Sequence, residues 1–114
     1  MPKLAIINLE AGMPAGNEAC LRLDYELHRA AQGHMVLVKI IHGYGSSGVG
    51  GALRDILQAA LRRKLEDGKL RAFIAGEDWR ISDEATWAIL KKYPELKEDR
   101  DLGRQNKGIS IVLL

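Results

Sequence analysis

Short apolar runs alternate with amphipathic segments along the chain, and this alternation predicts the order of its strands and helices. Four runs have the length and apolar content of buried strands: residues 4–9, 35–41, 70–75 and 109–114. Three segments place apolar residues at helical spacing: residues 17–32, 50–67 and 81–94, the last with Ser82 as expected N-cap. Right-handed crossovers make the first three strands parallel. The last run is almost wholly apolar, so we expect its strand inside the sheet and not at an edge.

Composition and charge are those of an ordinary folded domain. The 114 residues are 46% hydrophobic and 28% charged, which suits one domain over residues 1–114 with a single modest core. No apolar run approaches the length of a membrane span, and the apolar stretch at the start is too short for a signal peptide. A lone Cys20 fits a reducing compartment, so we expect a cytoplasmic protein. The net charge is +2, and thirteen of the seventeen basic residues lie from Arg54 to Lys107, where they either meet an acidic partner or solvate helix faces.

The stretch IIHGYGSSGVGGALR, residues 40–54, is unusually rich in glycine. Five glycines and two serines separate a predicted strand from a predicted helix, so the loop can expose successive backbone N–H groups at the positive end of that helix. These groups together favour a phosphate, and Arg54, one turn into the helix, adds further donors. The predicted binding residues are Gly43, Gly45, Ser46, Ser47, Gly48, Gly50, Gly51 and Arg54.

Two known phosphate motifs fit this loop only in part. Gly43, Gly45 and Gly48 match the G-x-G-x-x-G of dinucleotide-binding proteins, but that fold needs about six strands and four are predicted here. The P-loop pattern requires lysine and then serine or threonine, where this chain has Val49 and Gly50. A loop without a ligand is the remaining alternative.

Polar side chains follow each of the first three predicted strands. Glu10 follows the first strand, His42 the second, and Glu77 and Asp78 the third. Because the carboxyl ends of parallel strands share one edge of a sheet, we expect these groups to converge beside the glycine loop. His42 and Glu10 are the candidate catalytic residues for acid–base chemistry next to a phosphate, although a histidine that only hydrogen-bonds the loop is the alternative, and we expect His42 to lie outside the core. One histidine with loosely spaced carboxylates is a weak metal signature, so we predict neither metal nor cofactor.

The segment IIHGYGSSGVGGALRDIL resembles the second signature of the Smr (small MutS-related) domain family, in which a strand is followed by H-G-x-G, small residues and L-R. The segments NEACLRLDYELHRAAQGHMVLVKIIHG and NKGISIVLL are also similar to the family, so the resemblance covers nearly the whole chain. It assigns His42, Gly43 and Gly45 to H-G-x-G, and Leu53 and Arg54 to L-R. It implies an α/β fold, a two-layer βαβαβ(α)β sandwich whose four-stranded, mostly parallel mixed sheet has an interior, antiparallel last strand.

The resemblance also implies binding of nucleic acid, DNA or RNA, and in several family members endonuclease nicking or cleavage. The family's first signature, L-D-x-H-G, falls on residues 7–11, which here read INLEA. Asn8 replaces the aspartate, Glu10 the histidine and Ala11 the glycine, so binding is better supported than cleavage. Tyr44 stands where lysine or arginine is common. The alternative function is an enzyme or sensor that holds a phosphorylated small molecule or nucleotide in the glycine loop.

Overall fold

The computed structural model describes residues 4–12, 16–44 and 50–114, which form a four-stranded mixed sheet with helices on both faces. The strands are β1 (Leu4–Asn8), β2 (Leu37–Ile41), β3 (Ala72–Ala75) and β4 (Ile109–Leu113). The helices are α1 (Gly16–Gln32), α2 (Gly50–Glu66) and α3 (Glu84–Lys92), with short 3₁₀ helices at Gly76–Asp78 and Pro94–Glu98. The strands and α-helices predicted from the apolar pattern are therefore all present. Within the described ranges no helix has both the length and the apolar character needed to cross a membrane.

The topology of the sheet brings three loops together. The strand order is β1-β2-β4-β3. β1 pairs parallel with β2, whereas β4 pairs antiparallel with both β2 and β3, so the predicted interior, antiparallel last strand is confirmed. The carboxyl ends of β1, β2 and β3 consequently lie at one edge of the sheet, beside the start of β4. We call this edge the rim and define it by residues 8–11, 42–44, 76–78 and 106–108.

One face of the sheet is covered by α1 and α2. The apolar stripe of α1 is buried as its spacing predicts: Ala19, Leu23, Leu27 and Ala30. It packs with residues of α2 and of the sheet: Leu53, Leu57, Leu61, Ile7, Val38, Ile40 and Val112. Burial of each such leucine contributes about 1.5–3 kcal/mol, so this contact holds the layer of α1 and α2 against the sheet.

The segment between β3 and β4 packs against the opposite face. Its buried apolar side chains are Trp79, Ile89, Leu90 and Leu96, and they contact residues of the sheet: Leu37, Ile74, Ile109 and Ile111. The N-cap of α3 is Asp83 and not the predicted Ser82, because the Asp83 carboxylate accepts a hydrogen bond from the Thr86 backbone N–H at 3.0 Å. A carboxylate also interacts favourably with the positive end of the helix. The inserted segment therefore has its own cap and core and adds a helical layer to the second face.

A buried lysine ties this inserted segment to the central part of the sheet. The Lys39 side chain on β2 is 5% exposed, and its Nζ lies 2.7 Å from Asp99 Oδ1 and 2.7 Å from Asp101 Oδ2. Asp99 also accepts a hydrogen bond from Trp79 Nε1 at 3.0 Å. Because an unpaired buried ammonium would be strongly destabilising, Lys39 fixes the position of residues 99–101 over the sheet.

Candidate functional site

His42 lies inside the protein at the rim end of β2. The side chain is fully buried, and the expectation that it lies outside the core is wrong. The reason is strand alternation: Val38 and Ile40 face α1 and α2, and the next residue on that face is His42. The backbone N–H of His42 donates to the Gly108 carbonyl at 2.9 Å, which extends the pairing of β2 with the chain before β4.

Hydrogen bonds on both ring nitrogens fix the tautomer of His42. Nδ1 lies 2.6 Å from the Gly43 carbonyl oxygen, which can only accept, so Nδ1 carries the proton. Nε2 lies 2.9 Å from Ser110 Oγ and accepts from that hydroxyl, which in turn accepts from Gln58 Nε2 at 3.4 Å. Burial is the main cause that lowers the pKa of His42 from 6.5, and the positive charge of Arg54 acts in the same direction. The imidazole is therefore neutral at pH 7 and holds the Gly43 carbonyl in place.

Glu10 and Gly43 bring the loops after β1 and β2 into contact. Gly43 has φ +75°, and a Cβ at this position would overlap the Glu10 carboxylate. A side chain at residue 43 would thus meet backbone strain, and the end of the exposed Glu10 side chain would have to move away from it. On the other side of this contact, the Asn8 side chain accepts hydrogen bonds from the backbone N–H groups of Glu10 and Ala11 at 2.9 and 3.0 Å. Asn8 therefore shapes the turn that presents Glu10 at the rim.

Arg54 connects α2 to the loop after β3. Its Nη2 donates to Glu77 Oε2 at 2.6 Å, and its Nε donates to the Lys107 carbonyl at 3.1 Å. Its Nη1 lies 3.7 Å from Asp55, beyond hydrogen-bond distance. Burial tends to raise the pKa of Glu77, but hydrogen bonds from the backbone and from Arg54 outweigh it and hold that pKa below 4.5. The ionised Glu77 carboxylate and the Arg54 guanidinium therefore form a fixed pair at the rim.

The predicted convergence of strand ends is observed for Glu10, His42 and Glu77, but not for Asp78. The Asp78 carboxylate lies 4.0 Å from Arg80 and lines a separate depression with Arg62. Gly50 and Gly51 are the first residues of α2, as predicted. The remaining predicted loop residues lie outside the described residues: Gly45, Ser46, Ser47 and Gly48. Among the residues that are described, no group of three or more His, Cys, Asp or Glu side chains could hold a metal ion.

Two polar partners of His42 were not predicted from the sequence. Ser110 is a hydroxyl residue within the apolar run ISIVLL, and it is fully buried. Gln58 is 3% exposed beside the buried Leu57 of α2. A polar residue at a core position needs a hydrogen-bond partner, so both breaks in apolar patterning were available signals for a buried polar cluster.

Comparison with known proteins identifies the family. The family model of the Smr domain matches residues 12–91. The chain belongs to the Smr domain family. The crystal structure of the Smr domain of Thermus thermophilus MutS2 is similar in fold, with a TM-score of 0.58, 21% sequence identity and 96% coverage of each chain. No curated protein matches the chain in sequence.

The family match includes one part of the rim and omits another. In this Smr domain, His42, Gly43 and Arg54 lie within the matched residues, whereas Asn8, Glu10 and Ala11 precede residue 12. The three positions at which the chain departs from the family's first signature therefore lie outside the match.

Proposed function

We propose that this Smr domain binds nucleic acid, DNA or RNA, through backbone phosphates at the rim. The observation that carries the proposal is the fixed Arg54 guanidinium, which lies one turn into α2 and beside the chain segment that contacts Gly43. A helix N-terminus and an arginine fork are both favourable for a phosphate. Membership of the Smr family supports nucleic acid as the source of that phosphate.

The contacts of Arg54 leave part of its donor set for a ligand. Of its five N–H groups, one on Nε reaches Lys107 and one on Nη2 reaches Glu77. Nη1 makes no hydrogen bond to another described residue. Because two hydrogen bonds already fix the plane of the guanidinium, binding of a phosphate would cost little conformational entropy of the Arg54 side chain.

We also propose that the domain cleaves nucleic acid, with Glu10 and His42 as the residues involved. Glu10 is the proposed general base, since it is exposed at the rim. His42 donates from Nδ1 and accepts at Nε2 within the protein, so we assign it to holding the Gly43 turn beside the substrate. Because His42, the one imidazole among the described rim residues, is committed to contacts within the protein, we propose that any nicking is slow.

A second candidate function is binding of a phosphorylated small molecule or free nucleotide. It is favoured by a groove of about 350 Å³ beside Gly43, which is lined in part by Glu10, Tyr44 and Arg100. Such a volume suits a small ligand better than it suits a duplex.

The binding affinity of the wild-type domain as a function of salt tests these candidates. The domain is titrated with single- and double-stranded oligonucleotides of one sequence, with a nucleoside monophosphate and with inorganic phosphate. Each titration is repeated at salt concentrations from about 50 to about 200 mM. The proposed function predicts a log–log slope equivalent to about three to five phosphate contacts for the oligonucleotides. Binding of the monophosphate but of neither oligonucleotide would support the small-ligand candidate instead.

A further inference from the structure

The groove beside Gly43 opens on the face of the sheet opposite to α1 and α2. Its floor includes Ile6 of β1 and Ile41 of β2, and its walls include Tyr44 and Arg100. Ile6 is 64% exposed, because β1 is an edge strand that the inserted segment does not cover. The described residues thus leave an apolar floor open to solvent at the rim.

Tyr44 forms an exposed aromatic wall of this groove. Its side chain is 52% exposed, and its Cδ1 lies 3.4 Å from the position that a Cβ on Gly108 would occupy. The ring therefore lies close to the Gly108 backbone, which supports one side of it. A supported, half-exposed aromatic ring is a platform on which a base can stack.

The charges of the groove favour a neutral ligand group over a phosphate inside it. The Lys39 ammonium is already bonded to Asp99 and Asp101, so it offers no free positive charge to the groove. Asp101 itself lines the groove, and the remaining charged side chains of the lining are Glu10 and Arg100, which have opposite signs. Arg100 is exposed and forms no ion pair with another described residue. A neutral ring system fits the interior, with a phosphate outside it next to Arg100.

We propose, on the basis of the nucleic-acid binding proposed above, that this groove receives one unpaired nucleobase of a bound strand and stacks it on Tyr44. The groove reaches the rim, because the rim residues Glu10, Gly43 and Gly108 line it. A strand whose phosphates lie at the rim can therefore turn a base into the groove. Bases inside a duplex are paired and stacked, so the groove gives the domain a preference for single-stranded segments and strand ends.

The preference is tested with one oligonucleotide sequence in single-stranded and duplex form. Tyr44→Ala is expected to weaken binding of the single strand by about tenfold or more while duplex binding changes less than about twofold, since base–aromatic stacking of 1–3 kcal/mol is lost. Tyr44→Phe keeps the ring and is expected to bind like wild type. Tyr25→Ala is the matched control, because Tyr25 is 63% exposed on α1, on the other side of the sheet. A single strand that carries the fluorescent base 2-aminopurine reports stacking directly. We expect wild type and Tyr44→Phe to quench its fluorescence, and we expect Tyr44→Ala not to quench it.

Three results would overturn the inference in different ways. Equal weakening of single strand and duplex by Tyr44→Ala would show that Tyr44 contributes no base-specific contact. A nucleoside monophosphate that binds as tightly as the single strand, and competes with it, would make a free nucleotide the occupant. If neither oligonucleotide binds the wild-type domain, both the proposed nucleic-acid binding and the proposed base site are wrong. Thermal unfolding of each variant is measured to exclude a folding defect. We expect the unfolding temperatures to match wild type, because Tyr44 and Tyr25 are half exposed or more.

Discussion

The ends of β1 and β2 meet at the rim, but their side chains differ in what the fold requires of them. After β2, His42 is fully buried between Gly43 and Ser110. At the end of β1, the three positions that depart from the family signature, Asn8, Glu10 and Ala11, are all exposed, whereas their neighbours Ile7 and Leu9 are buried. The comparison teaches that signature residues on the exposed side of a strand end can change while the fold persists, and that His42 cannot change without cost to the core.

His42→Ala is expected to produce the largest loss of stability. It leaves a cavity and removes the partners of the Gly43 carbonyl and the Ser110 hydroxyl. We expect unfolding free energy to fall by about 3–5 kcal/mol, measured by urea denaturation. A variant as stable as wild type would show that the imidazole is not a structural element of the core.

Gly43→Ala is expected to be destabilising to a smaller extent. The left-handed backbone predicts a loss of about 1–3 kcal/mol, and the exposed Glu10 carboxylate can move out of the overlap at little cost. In the Glu10→Ala background the loss should therefore be nearly the same. A much smaller loss in that background would show that contact with the Glu10 side chain, and not backbone strain at residue 43, dominates the cost.

The exposed β1 end predicts a much smaller change in stability. Asn8→Asp combined with Glu10→His restores two positions of the family signature, and both side chains are exposed. We expect unfolding free energy to stay within about 0.5 kcal/mol of wild type, and nicking of a supercoiled plasmid or cleavage of single-stranded RNA to increase. Unchanged activity in a stable variant would show that this end of the rim does not limit cleavage.

The pH dependence of stability tests the burial of His42 independently of any cavity. Because burial lowers the pKa of His42 from 6.5, the unfolded chain binds a proton more readily, and stability falls as pH decreases below 6.5. The Glu77 and Asp101 carboxylates also have lowered pKa values, but their losses begin only near pH 4.5 and below. In the His42→Gln variant, the loss of stability between pH 6.5 and 4.5 should be smaller than in wild type. A wild-type curve that is flat over this interval would contradict a neutral, buried imidazole.

The order of strands and helices, and many of the residues at the rim, could be predicted from the sequence. Apolar runs predict strands through local patterning, and the interior position of the last strand follows from its apolar residues. The burial of Lys39 could not be predicted, because its partners Asp99 and Asp101 lie about sixty residues away in a segment that reads as a polar loop. The burial of His42 was missed because strand alternation continues one residue past the last residue of β2.

The measurement that tests nucleic-acid binding at the rim most directly is the salt dependence of affinity for Arg54→Ala. Arg29→Ala is the matched control, since Arg29 is exposed in the last turn of α1, at the opposite edge of the sheet. We predict that Arg54→Ala weakens binding by about 1–2 kcal/mol at low salt and reduces the log–log slope by about one phosphate contact, while Arg29→Ala leaves both unchanged. Equal affinities and slopes for the two variants and wild type would contradict binding at the rim.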